Sequence, residues 1–192
     1  MIVGTFALTL LLALGLALFW TRFTLRTASD VLPFLRKIEM ELIYGTFHPE
    51  AEEQLRTSLP ADEFKKMQWK RFHLAIHYCK DMAHNACICD GWARHERKES
   101  WNQMSAGVQN TVQELRIACI QVRMSSFVIR TRLRWWLLRA AILPFLPLPS
   151  FEELLRVGSA DMISFYEKMK QQAELFSMAY GEEYHDKLVE AM

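Results

Sequence analysis

The sequence predicts an all-α fold, with a single N-terminal transmembrane helix followed by an antiparallel helical bundle containing two or three long, coiled-coil-like helices. Three observations carry this expectation. Residues 2–20, IVGTFALTLLLALGLALFW, hold no charge, and a helix of that length spans about 28 Å against a hydrocarbon core of roughly 30 Å. Only 7 glycines and 6 prolines occur in 192 residues, and no run alternates apolar and polar residues as a half-buried strand would. Apolar residues recur instead at spacings of three and four over residues 108–143, with Ser126 the one polar member, which is the pattern of a coiled-coil seam.

The chain divides accordingly into an anchor over 1–21, short juxtamembrane helices over 22–59 and an α-helical bundle domain over 60–192. The anchor reads as uncleaved. No Lys or Arg precedes the apolar run, the small-x-small triplets at 13–15 and 15–17 lie inside it, and bulky Leu18, Phe19 and Trp20 close it. A cleaved signal peptide with an extracytoplasmic remainder is the alternative. Arg22, Arg26, Arg36 and Lys37 all follow the span, so the positive-inside rule puts the bulk of this single-pass membrane protein in the cytoplasm. Trp20 suits the aromatic belt, and Arg22 and Arg26 suit the anionic headgroups beside it. Four cysteines do not make a dense disulfide framework, and a cytoplasmic domain keeps them reduced; export would allow two bridges.

Each helix has its own signals. Asp30 is placed to cap a short amphipathic helix with Val31, Leu35, Ile38 and Leu42 on its apolar face and Gly45 at its end. Pro49 opens a second short helix, to about Thr57, and Pro60 with Asp62 and Glu63 behind it opens a longer one. In the latter, Trp69, Phe72, Ile76, Cys79, Ala83, Ala86 and Ala93 form a stripe with a gap at Asp90, and the helix is expected to reach about Arg94. Ser100 and Gln103 have capping-box spacing for the next helix, expected over 101–143 and about 65 Å long. Its seam is Val108, Val112, Leu115, Cys119, Val122, Ser126, Ile129, Leu133, Trp136, Ala140 and Leu143, and Pro144 stops it. The short connection makes these two long helices an antiparallel pair. After the turn at 144–149, Ser150 and Glu153 form another capping box. Met162, Phe165, Met169, Ala173, Phe176 and Tyr180 make a third stripe ending at Gly181, and 182–190 is a last short helix that folds back.

Charge is uneven. Residues 104–149 carry six arginines against one acid, Glu114, whereas 150–192 carry nine acids against four bases. Neighbouring elements of opposite sign are expected to offset one another. Within the basic part, RTRLRWWLLRAAILPF (130–145) interleaves Arg130, Arg134 and Arg139 with Trp135 and Trp136. These five are candidates for contact with anionic lipid, the arginine stems snorkelling and the indoles at headgroup level. On a helical wheel Arg132 and Arg139 lie together with Arg130 and Arg134 nearly opposite, which argues against a simple interfacial face. No recognition module accompanies the arginines, so nucleic acid is not an expected partner.

The segment HLAIHYCKDMAHNACIC (73–89) is where metal or redox chemistry would gather if the chain had any. His73, His77, His84 and Cys87 share one helix face, and two histidines a turn apart are a common zinc spacing. His77 and His84 are about 10.5 Å apart along the axis, too far to share a metal held at roughly 2 Å. A metal would need ligands from another helix. The plainer reading is a polar flank beside the core stripe, with Cys79 and Cys119 as small buried apolar residues and the methionines as core filler. Nucleophile-elbow, P-loop, zincin, paired C-x-x-C and dinucleotide-binding motifs are all missing from the sequence. The expected function is a non-catalytic, membrane-tethered scaffold or adaptor, without cofactor or metal, that presents a helical surface to a protein partner or to a second copy. Ala13 and Ala17 offer a small-xxx-small face for self-association. The alternatives are a metal-binding or redox-active helical protein using 73–89 and a peripheral enzyme acting on a membrane substrate.

Overall fold

The computed structural model describes residues 27–143, 149–155 and 159–192. The expected anchor over 2–20, with Trp20, Arg22 and Arg26, lies outside the described residues. Among those described, every regular element is helical, and no helix is long and apolar enough to cross a membrane.

From the N-terminal side the helices are α1 (Ala28–Val31), α2 (Met40–Phe47), α3 (Pro49–Ser58), α4 (Ala61–Glu99), α5 (Ala106–Ile142), α6 (Phe151–Leu155), α7 (Ser159–Ser177) and α8 (Glu182–Ala191). The two longest, α4 and α5, run antiparallel as their short connection requires. Phe72 near the start of α4 packs on Trp136 near the end of α5, with ring centroids 5.8 Å apart. Helix α5 packs extensively on both α4 and α7, while α4 and α7 touch each other sparingly. Helix α2 and the Asn85 side chain link the latter two. Asn85 of α4, fully buried, accepts from Arg36 N (2.9 Å) and donates to Arg36 O (2.7 Å) and to Tyr166 Oη of α7 (2.9 Å). Arg71 Nη2 donates to Thr46 O (2.8 Å), and Tyr44 Oη donates to Glu167 Oε1 (2.5 Å).

The α5 seam is buried as its spacing predicts. Val112, Leu115, Cys119, Val122, Ser126, Ile129, Leu133, Trp136 and Ala140 all face the core, and only the end members differ, Val108 being half-buried and Leu143 exposed. Full burial of each large aliphatic side chain contributes about 1.5–3 kcal/mol. Ser126, the one hydroxyl in the seam, donates to Met162 Sδ of α7 at 3.5 Å.

Several sequence expectations need correction. The seam of α4 is Gln68, Phe72, Ala75, Cys79, Met82, Ala86, Cys89 and Ala93, all buried, so Ile76 and Ala83 sit on its flank. At Ala75 a small residue takes the seam position and lets the helices approach closely, while the bulkier Ile76 sits on the flank. Asp90 is no gap: it is fully buried. The single helix expected from Asp30 to Gly45 is broken. Pro33 lies in a 3-10 turn (Leu32–Phe34), where its missing N–H and fixed φ suit the first turn but not a helix interior. Thr27 caps α1, with Asp30 accepting from the Thr27 N–H (3.3 Å) and hydroxyl (2.7 Å). Gly45 lies inside α2, which runs on to Phe47, and His48 is extended (φ −70, ψ 127), as the residue before Pro49 prefers. Helix α4 continues to Glu99. Ser100 does not cap α5. Trp101–Gln103 form a 3-10 turn, and Ser105 Oγ accepts from Val108 N, so α5 is about 55 Å long. After Ser150 the described residues form α6 and α7. Tyr180 is exposed, and Tyr166, absent from the expected stripe, is fully buried. Gly181 does end the segment, at φ 98, a conformation that favours glycine.

Candidate functional site

The outer face of α5 is the feature that the fold leaves unexplained. Ile117, Ile120, Met124, Phe127, Val128, Trp135, Leu138 and Ile142 are all exposed, Phe127 at 64%, Trp135 at 62% and Ile142 at 66%. They recur at helical spacing, so α5 carries two apolar stripes. At about 100° per residue the outer stripe is centred about 180° from the core seam. Single exposed apolar residues are ordinary on a protein surface, whereas a contiguous patch marks an interaction site. The stripe was legible as spacing, but the stronger seam on the opposite face drew the reading to itself.

The arginines of α5 fall on the two borders of this stripe. Arg116, Arg123, Arg130 and Arg134 follow one border, and Arg132 and Arg139 follow the other. Arg130 and Arg134 lie nearly opposite Arg132 and Arg139, as the wheel has it, yet they frame a single apolar strip. Near the N-terminal half, Arg116 and Arg123 turn toward Asp90 of α4, which Arg94 holds at 2.7 Å. Arg123 Nη1 lies 3.5 Å and Arg116 Nε 3.7 Å from that carboxylate. Toward the C-terminal half, no carboxylate among the described residues lies within ion-pair distance of Arg130, Arg132 or Arg134. The guanidinium of Arg132 sits 5.4 Å over the Trp136 ring.

The two tryptophans separate. Trp135 stands on the outer stripe, while Trp136 is 5% exposed and belongs to the core against Phe72, so of the five expected contact residues in α5 Trp136 faces inward. Arg134 is exposed, and Arg130 and Arg139 are half-buried. Between α5 and α7, Glu114, the one acid of the basic segment, pairs with Lys168 at 2.7 Å.

The His/Cys segment is put to structural use. His73 Nδ1 lies 2.9 Å from Trp69 O, His77 Nε2 lies 3.1 Å from Asp81 Oδ2, and His84 Nε2 lies 2.9 Å from Phe34 O. Asp81 also pairs with Arg36, so this side of α4 clasps the segment that follows α1. Among the described residues no group of three or more His, Cys, Asp or Glu side chains is placed to hold a metal ion. All four cysteines are free thiols. Burial pushes the Cys79 and Cys89 thiols up to about 12 and raises that of Cys119, which holds them neutral and unreactive at physiological pH. Two open grooves flank α2. One, of about 540 Å³, is lined by Leu42, Gly45, Gln54, Leu55 and Arg71; the other, of about 380 Å³, is lined by Tyr44, Phe47, Ile163 and Glu167. The hydrogen bond to Glu167 raises the Tyr44 hydroxyl above its ordinary value, so this phenol is not an activated nucleophile.

No protein-family model matches the chain, and no curated protein or solved structure matches it either.

Proposed function

We propose that the protein is a non-catalytic, membrane-tethered helical scaffold: residues 2–20 anchor it as a single span, and the cytoplasmic bundle presents a helical surface at the membrane. The observation that carries this reading is the second apolar stripe of α5, a face of the most central helix that no described part of the chain covers. A fold that needed α5 only as a structural strut would place polar residues there. The uncharged length of 2–20 and the four basic residues that follow it supply the tether and its orientation.

Topology tests the proposal. In the native cell, the full chain should resist alkaline carbonate extraction, retain its N-terminal segment and activate a C-terminal reporter that works only in the cytoplasm. A chain released by carbonate, or a reporter active only outside the cytoplasm, contradicts it.

A further inference from the structure

We infer that the outer stripe of α5 lies on an anionic phospholipid surface, so that the domain is held flat against the leaflet by a second contact besides its anchor. This deepens the proposed function and rests on its membrane placement.

Charge chooses the occupant. The apolar strip covers about a quarter of the helix circumference and is bordered on both sides by arginine, with Trp135 in its middle. Helices that lie in the plane of a bilayer have this cross-section: apolar side chains enter the acyl boundary, arginine stems follow them, and the guanidinium groups rise on either side to phosphate level. Pairing with a second copy through the same strip would set arginine borders against arginine borders, because no carboxylate among the described residues lies within ion-pair distance of the exposed Arg132 and Arg134. An anionic leaflet supplies the missing countercharge beside Arg132 and Arg134 in the C-terminal half of the strip.

Reach permits the arrangement. The chain enters the described fold at Thr27, and the next residue is fixed where Tyr184 Oη of α8 donates to Ala28 O at 2.8 Å. Six residues separate Trp20 from Thr27. Fully extended they cover up to about 20 Å, about the thickness of two packed helices. A span ending at Trp20 can therefore cross the bilayer while α5 rests on its surface.

The test uses the full chain in vesicles whose acyl chains are brominated, made of phosphatidylcholine with or without phosphatidylserine. Subtracting the fluorescence of the Trp135→Phe variant isolates the Trp135 signal. That signal should be quenched by the brominated chains when phosphatidylserine is present, and the quenching should fall with high salt and in the double variant Arg132→Gln/Arg134→Gln. A Trp135 signal equal in brominated and unbrominated vesicles overturns the inference. If that signal is also shielded from aqueous iodide, a protein chain covers the face instead. Quenching that ignores both phosphatidylserine and salt overturns the part given to the arginines. Alkaline carbonate extraction of the same samples keeps the two readings apart. A resistant chain with unquenched Trp135 retains the tether and loses the lipid face; a released chain whose Trp135 had been quenched loses the tether and retains the face.

Discussion

Leu133 and Leu138 belong to one helix and are five residues apart, yet the first has no exposed surface and the second is half exposed. Leu133 lies on the seam that α5 offers to its neighbouring helices, while Leu138 lies on the strip that faces away from them. Both strips obey helical spacing, and both are rich in large aliphatic and aromatic residues. They differ in what surrounds them. Along the N-terminal half, the border arginines Arg116 and Arg123 turn in to the buried carboxylate of Asp90, whereas Arg132 and Arg134 stand in solvent. Periodicity thus identifies a surface that must be covered, and the neighbouring charges indicate whether the chain itself or something outside it does the covering.

The sharpest contrast is in the arginines. Asp90→Asn removes the buried carboxylate that Arg94, Arg116 and Arg123 face, which costs about 3–5 kcal/mol when the opposing charges stay behind, while Arg134→Gln on the outer border should change stability by less than about 0.5 kcal/mol. Chemical denaturation of both variants measures this, and equal losses would erase the distinction. Next in size is the apolar pair. Leu133→Ala leaves a cavity and should cost about 3 kcal/mol, while Leu138→Ala should again fall below about 0.5 kcal/mol.

The clasp around Asn85 comes third. Asn85→Ala breaks the hydrogen bonds to both backbone groups of Arg36 and to the Tyr166 hydroxyl and should cost about 2 kcal/mol. Hydrogen exchange should then quicken over 32–39 while α5 keeps its protection, and uniform loosening would contradict the local role. The smallest effect is chemical. Cys79, Cys89 and Cys119 are buried and held neutral, with Cys87 only half-buried. A thiol reagent at pH 8 should titrate one cysteine in the folded chain and four in denaturant. The thiols are raised from an ordinary value of 9.0 to about 12 for Cys79 and Cys89, so the unfolded chain ionises first. Their contribution to stability is full below about pH 9 and is lost as pH rises toward 12. Alkaline unfolding that does not shift when Cys79 is replaced by Ala would argue against this origin.

Much of the bundle is legible in the sequence because a 3.5-residue repeat has only one structural meaning over ten turns. The α5 seam from Val112 to Ala140, the antiparallel pairing, the opening of α3 at Pro49 and the ending at Gly181 follow from spacing, capping and proline chemistry. The register of α4 does not, because close packing favours Ala75 over the bulkier Ile76, and this preference belongs to the partner surface rather than to hydropathy. Asp90 reads as a flaw in the stripe until Arg94, Arg116 and Arg123 are brought round it by three separate turns of two helices. Of the candidate site, Arg130, Arg134, Trp135 and Arg139 were legible as an unusual composition. Their arrangement around an apolar strip was not, since the wheel positions of arginines acquire meaning only once the buried face is known. Trp136 shows the same dependence, for two adjacent indoles on a helix must diverge by about 100°, and the seam claims one of them.

The outer strip of α5 presents its apolar residues away from the described helices. Replacing Ile120, Phe127, Leu138 and Ile142 together with Ser in the full protein, and measuring its unfolding free energy in detergent beside the Leu133→Ala variant, tests that directly. The fourfold variant should stay within about 2 kcal/mol of the parent, each exposed site contributing no more than about 0.5 kcal/mol. A loss well beyond that of Leu133→Ala would mean that the strip is packed against another part of this chain, and the outer face of α5 would then belong to the fold rather than to an interaction.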